Sequence, residues 1–102
     1  MVRRPSYLKL KVFWVKNYLG LAINQVSLDK CYPLTPFYFW PKTQAWEQLK
    51  LKLDSKHWLA TEEKIEILKV TGDVMNYWLS EKNSKKAKDL KEVFPEVDVF
   101  TL

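Results

Sequence analysis

Apolar and polar residues alternate near the start of the chain. Every second residue from Leu8 to Trp14 is apolar, namely Leu8, Leu10, Val12 and Trp14. A period of two is typical of a β-strand with one buried face. Residues 17–20 follow as a turn in which Gly20 can adopt a positive φ angle, and residues 21–26 then read as a returning antiparallel strand. The pattern therefore predicts a β-hairpin at the start of the fold.

The next stretch is rich in proline and aromatic residues. Pro33 and Pro36 disfavour a helix, so we expect residues 27–36 to form a loop. Residues 37–40, Phe-Tyr-Phe-Trp, have the composition of a short third strand, which Pro41 would end.

Two helices are expected after this strand. Thr43 is a suitable N-cap for the first, whose apolar side would carry Trp46, Leu49 and Leu53. Thr61 is the expected cap of the second, where Glu62 and Glu63 complement the positive end of the helix dipole. The second helix carries two apolar stripes and is expected to be buried over much of its circumference. The stripes are Ile65, Leu68, Gly72, Met75 and Leu79, and Ile67, Val70, Val74 and Tyr77.

A short C-terminal helix is expected to begin near Ser84 and to end at Pro95. The fold class that follows is α+β, a small antiparallel β-hairpin or sheet packed by two main helices. With 102 residues the chain is expected to form one domain. We divide it into a basic N-terminal arm at residues 1–7, a single α+β domain at 8–80 and a lysine-rich C-terminal extension at 81–102.

Charge is distributed unevenly along the chain. The net charge is +5, and residues 1–16 alone carry five cations and no acid. Residues 82–91 add five lysines against one aspartate, whereas the body between these segments is nearly neutral. Two basic segments around a neutral body are typical of a protein that touches a polyanion, and a solvated lysine-rich surface is the alternative explanation.

The residues that could carry catalysis or hold a metal are few. Cys31 and His57 are the only cysteine and histidine, and there are two glycines. A disulfide framework, a zinc site, a Cys–His nucleophile and a glycine-rich phosphate loop are therefore not expected. Glu62 and Glu63 are already explained by the helix dipole. The sequence predicts neither an enzyme nor a cofactor.

Binding residues are easier to nominate. Lys9 and Lys11 share one strand face, and the remaining candidates for contact with RNA phosphates lie in the basic arm and the extension: Arg3, Arg4, Lys85, Lys86 and Lys88. The aromatic run at residues 37–40 could also stack on bases. In a strand, however, Phe37 and Phe39 face away from Tyr38 and Trp40, so we expect at least one pair to be core and favour that interpretation.

Several blocks of the sequence together resemble a known family. Residues 33–50, with 8–14 and 19–26 upstream and the helix to Trp78 downstream, are similar to the plastid-specific ribosomal protein 3 family of chloroplasts and cyanobacteria. The resemblance covers about two thirds of the chain. The loop at residues 27–32 lacks the glycine-rich character of that family, and the tail after Ser80 has no matching counterpart.

The resemblance implies a structural constituent of the small (30S) ribosomal subunit that supports translation. It also implies 16S rRNA and other small-subunit ribosomal proteins as partners, with no membrane and no small-molecule substrate. The expected location is the chloroplast stroma or, alternatively, the cyanobacterial cytoplasm. The competing hypothesis is a non-ribosomal protein-interaction module that uses exposed aromatic residues and the hairpin edge.

Overall fold

The computed structural model describes residues 6–15, 17–28, 30–81 and 92–101. Within them the chain forms a five-stranded sheet and two helices, which confirms the α+β fold class. In chain order the elements are β1 (Ser6–Trp14), β2 (Leu19–Ser27), β3 (Lys30–Pro33), β4 (Tyr38–Trp40), α1 (Ala45–Asp54), α2 (Thr61–Glu81) and β5 (Asp98–Thr101).

The predicted hairpin is the centre of the sheet. β1 and β2 pair antiparallel over their full length, from Ser6 opposite Ser27 to Trp14 opposite Leu19. β3 and β4 both pair with the edge of β2 that faces away from β1. β5 pairs parallel with the other edge of β1. β5 was not expected from the sequence, and it comes from the segment assigned to the C-terminal extension.

Gly20 does not serve as a turn residue, and that prediction was wrong. It lies within β2 opposite Phe13, and no described glycine has a positive φ angle. A Cβ atom at this position would come within 2.9 Å of both Phe13 Cβ and Phe39 Cε1. The position therefore requires glycine because two aromatic side chains close over it.

The segment predicted as a loop, residues 27–36, contains a strand. β3 pairs with the end of β2 despite Pro33, because a proline is tolerated on an outer strand, where its missing N–H removes no ladder bond. Residues 34–36 then bulge between β3 and β4. The backbone N–H groups of Leu34 and Thr35 both donate to the carbonyl of Ile23, at 3.0 and 3.2 Å.

α1 begins one residue later than a Thr43 cap would place it. Gln44 occupies the N-cap position without a side-chain bond to the helix. The Thr43 hydroxyl instead donates to the carbonyl of Phe39 at 3.0 Å, so it closes the turn after β4 rather than capping the helix. Leu49 and Leu53 are fully buried as expected.

α2 has Thr61 as its first residue, so Thr61 lies one position inside the helix rather than at the N-cap position predicted for it. Glu62 and Glu63 lie in the first turn of α2 as expected. The prediction that it is buried over much of its circumference was wrong at both ends, since Ile65 is 63% and Leu79 50% exposed. One face of the helix supplies the core with Ile67, Leu68, Thr71, Val74, Met75 and Trp78. The expected C-terminal helix falls largely on residues 82–91, outside the described residues.

Both helices pack on the same face of the sheet. Leu10 and Val12 of β1 and Leu21 of β2 share one buried cluster with residues of α1 and α2. The indole N–H of Trp78 donates to the carbonyl of Val15 at 3.2 Å and so ties α2 to the end of β1. Neither helix is long and apolar enough to cross a membrane. Among the described residues, the helices thereby leave the other face of the sheet open.

Candidate nucleic-acid interface

The open face of the sheet carries a group of aromatic rings from four parts of the chain. On β1 the side chains that alternate with the core belong to Lys9, Lys11 and Phe13, all of them partly exposed. Strand pairing brings further rings to the same face. We call the resulting group the aromatic face; its rings are Phe13, Tyr18, Phe37, Phe39 and Phe100.

Four of the five rings of the aromatic face contact one another in series. Tyr18 and Phe39 meet edge to face, with centroids 5.4 Å apart and planes at 82°. Phe39 stacks beside Phe37 at 6.2 Å and 21°, and Phe37 meets Phe13 edge-on at 6.4 Å. Such aromatic pairs contribute stabilising energy in addition to that from the apolar area they bury. The aromatic face is therefore one continuous surface.

Small residues of β2 lie between the rings. Gly20 lies opposite Phe13 on β1 and opposite Phe39 on β4, so its missing side chain lets these two residues approach across the strand. Ala22 pairs with Lys11 in the same way. The large side chains of neighbouring strands thus fill the space above β2.

Lys11 is held between two rings of the aromatic face. Its Nζ atom lies 5.6 Å from the centroid of Phe37 and 5.4 Å from that of Phe100. Both distances are within the range of a cation–π interaction, in which the ring face attracts the ammonium. The ring contacts neutralise no charge, so Lys11 remains a cation on a partly exposed aromatic surface.

Lys9 has a different partner. Its Nζ atom forms an ion pair of 3.0 Å with Asp98 of β5, and both side chains remain partly exposed. An exposed pair of this kind contributes at most about 1 kcal/mol to stability. Lys9 can therefore contact phosphate either by leaving Asp98 or through the N–H donors that Asp98 does not occupy.

A cavity of about 580 Å³ opens at one end of the aromatic face. Its lining consists of Asn17, Tyr18, Phe39, Pro41 and Lys42. Within the described part of the chain this lining contains a lysine and an amide but no carboxylate. A smaller cavity of about 200 Å³ lies among Lys11, Phe13, Phe37 and Phe100.

A cavity on another part of the molecule is acidic rather than basic. A cavity of about 360 Å³ between the start of β1 and α2 is lined by three carboxylates, Glu63, Glu66 and Glu96, together with apolar residues. A phosphate would be repelled there. The aromatic face is thus the better of the two surfaces for a polyanion.

The structure brings together only part of the predicted site. Lys9 and Lys11 share the open face as expected, whereas Arg3, Arg4, Lys85, Lys86 and Lys88 lie outside the described residues. Sequence reasoning missed Phe13, Tyr18, Phe100, Asn17 and Lys42. The alternation of β1 already put Phe13 on the lysine face, but Phe100 required knowledge that β5 joins the sheet.

The aromatic run divides between the two faces as the strand period predicts. Tyr38 and Trp40 pack against the core, and Trp40 meets Trp78 edge-on at 5.6 Å. This confirms that one pair is core. Phe37 and Phe39 belong to the aromatic face, so the base-stacking interpretation applies to that pair alone.

The described residues offer little to catalysis. They include no cluster of three His, Cys, Asp or Glu side chains that could hold a metal ion. His57 and Cys31 are exposed and lie in separate parts of the fold, and Asn24 Nδ2 donates to Cys31 Sγ at 3.1 Å.

Known proteins resemble the chain closely. Residues 34–81 match the family model described as plastid and cyanobacterial ribosomal protein (PSRP-3 / Ycf65). The small ribosomal subunit protein cS23 of Gracilaria tenuistipitata var. liui is 35% identical over 91 residues, which span 89% of this chain and 92% of the relative. A probable cS23 of Synechococcus sp. (strain JA-3-3Ab) is 36% identical over 88 residues, or 86% of this chain and 89% of the relative. The cS23 protein of Hordeum vulgare is 39% identical over 77 residues, 74% of this chain and 42% of the relative.

Proposed function

Because the chain belongs to the plastid and cyanobacterial ribosomal protein family PSRP-3/Ycf65, we propose that it is a structural constituent of the small ribosomal subunit that binds 16S rRNA and neighbouring ribosomal proteins. The observation that carries this proposal is the similarity to small-subunit proteins over nearly the whole length of both chains. The family description names plastids and cyanobacteria. The protein accordingly works in the chloroplast stroma or in the cyanobacterial cytoplasm.

Contact with rRNA relies on cations that neutralise phosphates without reading sequence. The predicted set comprises Arg3, Arg4, Lys9, Lys11, Lys85, Lys86 and Lys88. Lys9 and Lys11 support this assignment because both lie on the face of the sheet that α1 and α2 leave open. The folded rRNA supplies the shape, and the protein supplies positive charge and a rigid surface.

The role is structural rather than enzymatic. It requires no cofactor and no small-molecule substrate. His57 and Cys31 are exposed and line none of the three cavities described above, which is consistent with this.

The experiment is a sucrose gradient of lysate from cells that express the tagged chain. We expect co-sedimentation with small subunits and full ribosomes at low salt, and release by high salt because phosphate contacts weaken as salt rises. Recovery of the chain only in the soluble top fractions at low salt would contradict the proposal.

The second candidate is a non-ribosomal protein-interaction module. Trp58 favours it, since this large aromatic side chain is 62% exposed in the connection between the helices. A tryptophan-anchored protein contact should hardly respond to salt, whereas electrostatic RNA binding should weaken strongly. Salt-resistant association with a protein, in gradients where ribosomal subunits are absent, would favour this candidate.

A further inference from the structure

We propose that the cavity beside Tyr18 and Phe39 is a binding slot for an unpaired RNA nucleotide, so that the protein prefers single-stranded segments of rRNA over duplex. This inference rests on the proposed function and assigns it a specific contact. The slot is defined by Asn17, Tyr18, Phe39, Pro41 and Lys42.

The shape of the slot suits a planar base. Tyr18 and Phe39 stand almost perpendicular, at 82°, and form a corner. A base laid against one ring meets the edge of the other, and both arrangements are favourable for aromatic systems. A volume of about 580 Å³ lies within the range of small-molecule sites and accommodates one nucleotide.

The polar groups of the slot match the rest of a nucleotide. Lys42 is exposed at the rim and can neutralise a phosphate. The Asn17 side chain offers both a donor and an acceptor, which is what the edge of a base requires. Duplex RNA hides its base faces within the helix, so only an unpaired nucleotide can use all of these groups at once.

The surface continues beyond the slot. Phe39 stacks beside Phe37, and Phe37 in turn flanks Lys11. A strand that leaves the slot along this row meets another ring and another cation. Alternating rings and cations are the arrangement by which proteins hold single-stranded nucleic acid.

An apolar protein segment fits the slot less well. Such a segment would bury Lys42 and the Asn17 amide without supplying an anion, and unpaired buried polar groups weaken binding. The charge of the lining therefore favours RNA over a protein partner.

The test measures binding of the full chain to an unstructured RNA oligomer and to an RNA duplex of equal length by fluorescence anisotropy. Wild type should favour the single strand. Tyr18→Leu should reduce single-strand affinity about tenfold, as expected for loss of one stacked base, and should change duplex affinity little. Lys42→Gln should lower the slope of log affinity against log salt by about 0.7.

Two control variants separate the slot from general effects. Tyr18→Phe keeps the ring and should bind as wild type does. Trp58→Leu removes an exposed aromatic residue that does not line the slot, and it should leave single-strand preference intact. Circular dichroism monitors the fold; if Tyr18→Leu unfolds, Asn17→Ala and Lys42→Gln, both at exposed positions, carry the test.

The outcomes distinguish this inference from the function it rests on. Equal affinity of wild type for single strand and duplex, or unchanged preference in Tyr18→Leu, overturns the slot while co-sedimentation with small subunits still stands. The inference is also overturned if the slot variants bind RNA as wild type does but no longer bind a ribosomal protein. Absence of the wild-type chain from ribosomal fractions would defeat the proposed function itself.

Discussion

The side-chain hydroxyl of Thr35 accepts a hydrogen bond of 3.0 Å from the backbone N–H of Ile23. The same hydroxyl donates to the carbonyl of Pro36 at 2.9 Å, and Thr35 is buried. Ile23 lies where β2 changes partner from β3 to β4, so no strand residue is available to its N–H. Thr35 thus supplies the ladder bond that the bulge at residues 34–36 removes.

Thr35→Val should destabilise the protein by about 1–3 kcal/mol, because the substitution leaves the buried N–H of Ile23 without an acceptor. Urea unfolding monitored by tryptophan fluorescence measures the change. Thr35→Ser keeps the hydroxyl and is the matched control, with a smaller loss expected. Equal stability of Thr35→Val and wild type would show that water replaces the hydroxyl.

The two glycines should respond in opposite directions to alanine. At Gly20 the added Cβ would come within 2.9 Å of Phe13 and Phe39, so Gly20→Ala should cost about 1–3 kcal/mol through overpacking. At Gly72, inside α2, the nearest atom is Trp46 Nε1 at an ordinary 3.8 Å. Gly72→Ala should therefore stabilise by roughly 0.5–1 kcal/mol through helix propensity. Thermal unfolding of both variants tests the pair, and destabilisation by Gly72→Ala would contradict it.

Gly20 also illustrates where sequence reasoning failed. Local pattern correctly predicted the hairpin and the faces of β1, because alternation is a property of neighbouring residues. Glycine is most often needed in turns, so Gly20 was placed there. Glycine is required there because Phe13 and Phe39 close over the position. Phe39 is distant in sequence, so no local pattern reports that contact.

The candidate site was predictable to a similar extent. Strand period placed Lys9 with Lys11, and Phe37 with Phe39. It could not join the two groups, since their proximity depends on the pairing of β4 with β2. The contribution of Phe100 depends on the parallel pairing of β5 with β1. A strand of only four residues has too short a pattern for its partner to be predicted from sequence.

Trp46 combines apolar packing with one specific hydrogen bond. Its indole N–H donates to the carbonyl of Leu68 at 2.9 Å, which joins α1 to α2. Trp46→Ala should cost about 3 kcal/mol, because the ring packs against the core. Trp46→Phe keeps most of the packing and should cost about 1 kcal/mol from the lost bond. Denaturant unfolding measures both, and an unchanged melting temperature in Trp46→Ala would place the ring outside the cooperative core.

Asp54 has a pKa below its ordinary value of 3.8, chiefly because Lys50 donates a hydrogen bond to its carboxylate at 2.8 Å. Lys50→Gln should raise this pKa towards 3.8, whereas Lys52→Gln, on the same helix, should not. A lowered folded-state pKa stabilises the fold above the ordinary Asp pKa, and the contribution is lost as pH falls through the lowered value. NMR titration of the Asp54 carboxyl carbon checks the direction. An unmoved pKa in Lys50→Gln would show that the pair does not persist in solution.

The lysines of the C-terminal extension should supply much of the salt-sensitive RNA affinity. The excess positive charge lies in the two basic segments, while the body between them is nearly neutral. Each cation that neutralises a phosphate contributes roughly 0.7–0.9 to the slope of log affinity against log salt. Replacing Lys85, Lys86 and Lys88 together with alanine should therefore flatten the slope by about two units, and should weaken binding to unrelated RNAs equally.

The matched control replaces three lysines of the body with alanine, Lys30, Lys52 and Lys69, all of them exposed and none in the predicted site. Net charge changes by the same amount in both triple variants, so a general electrostatic effect would flatten both slopes alike. A local phosphate contact would flatten only that of the extension variant. Filter binding to small-subunit rRNA over a series of salt concentrations gives the two slopes. If the extension variant keeps the wild-type affinity and slope, the phosphate contacts belong instead to Arg3, Arg4, Lys9 and Lys11.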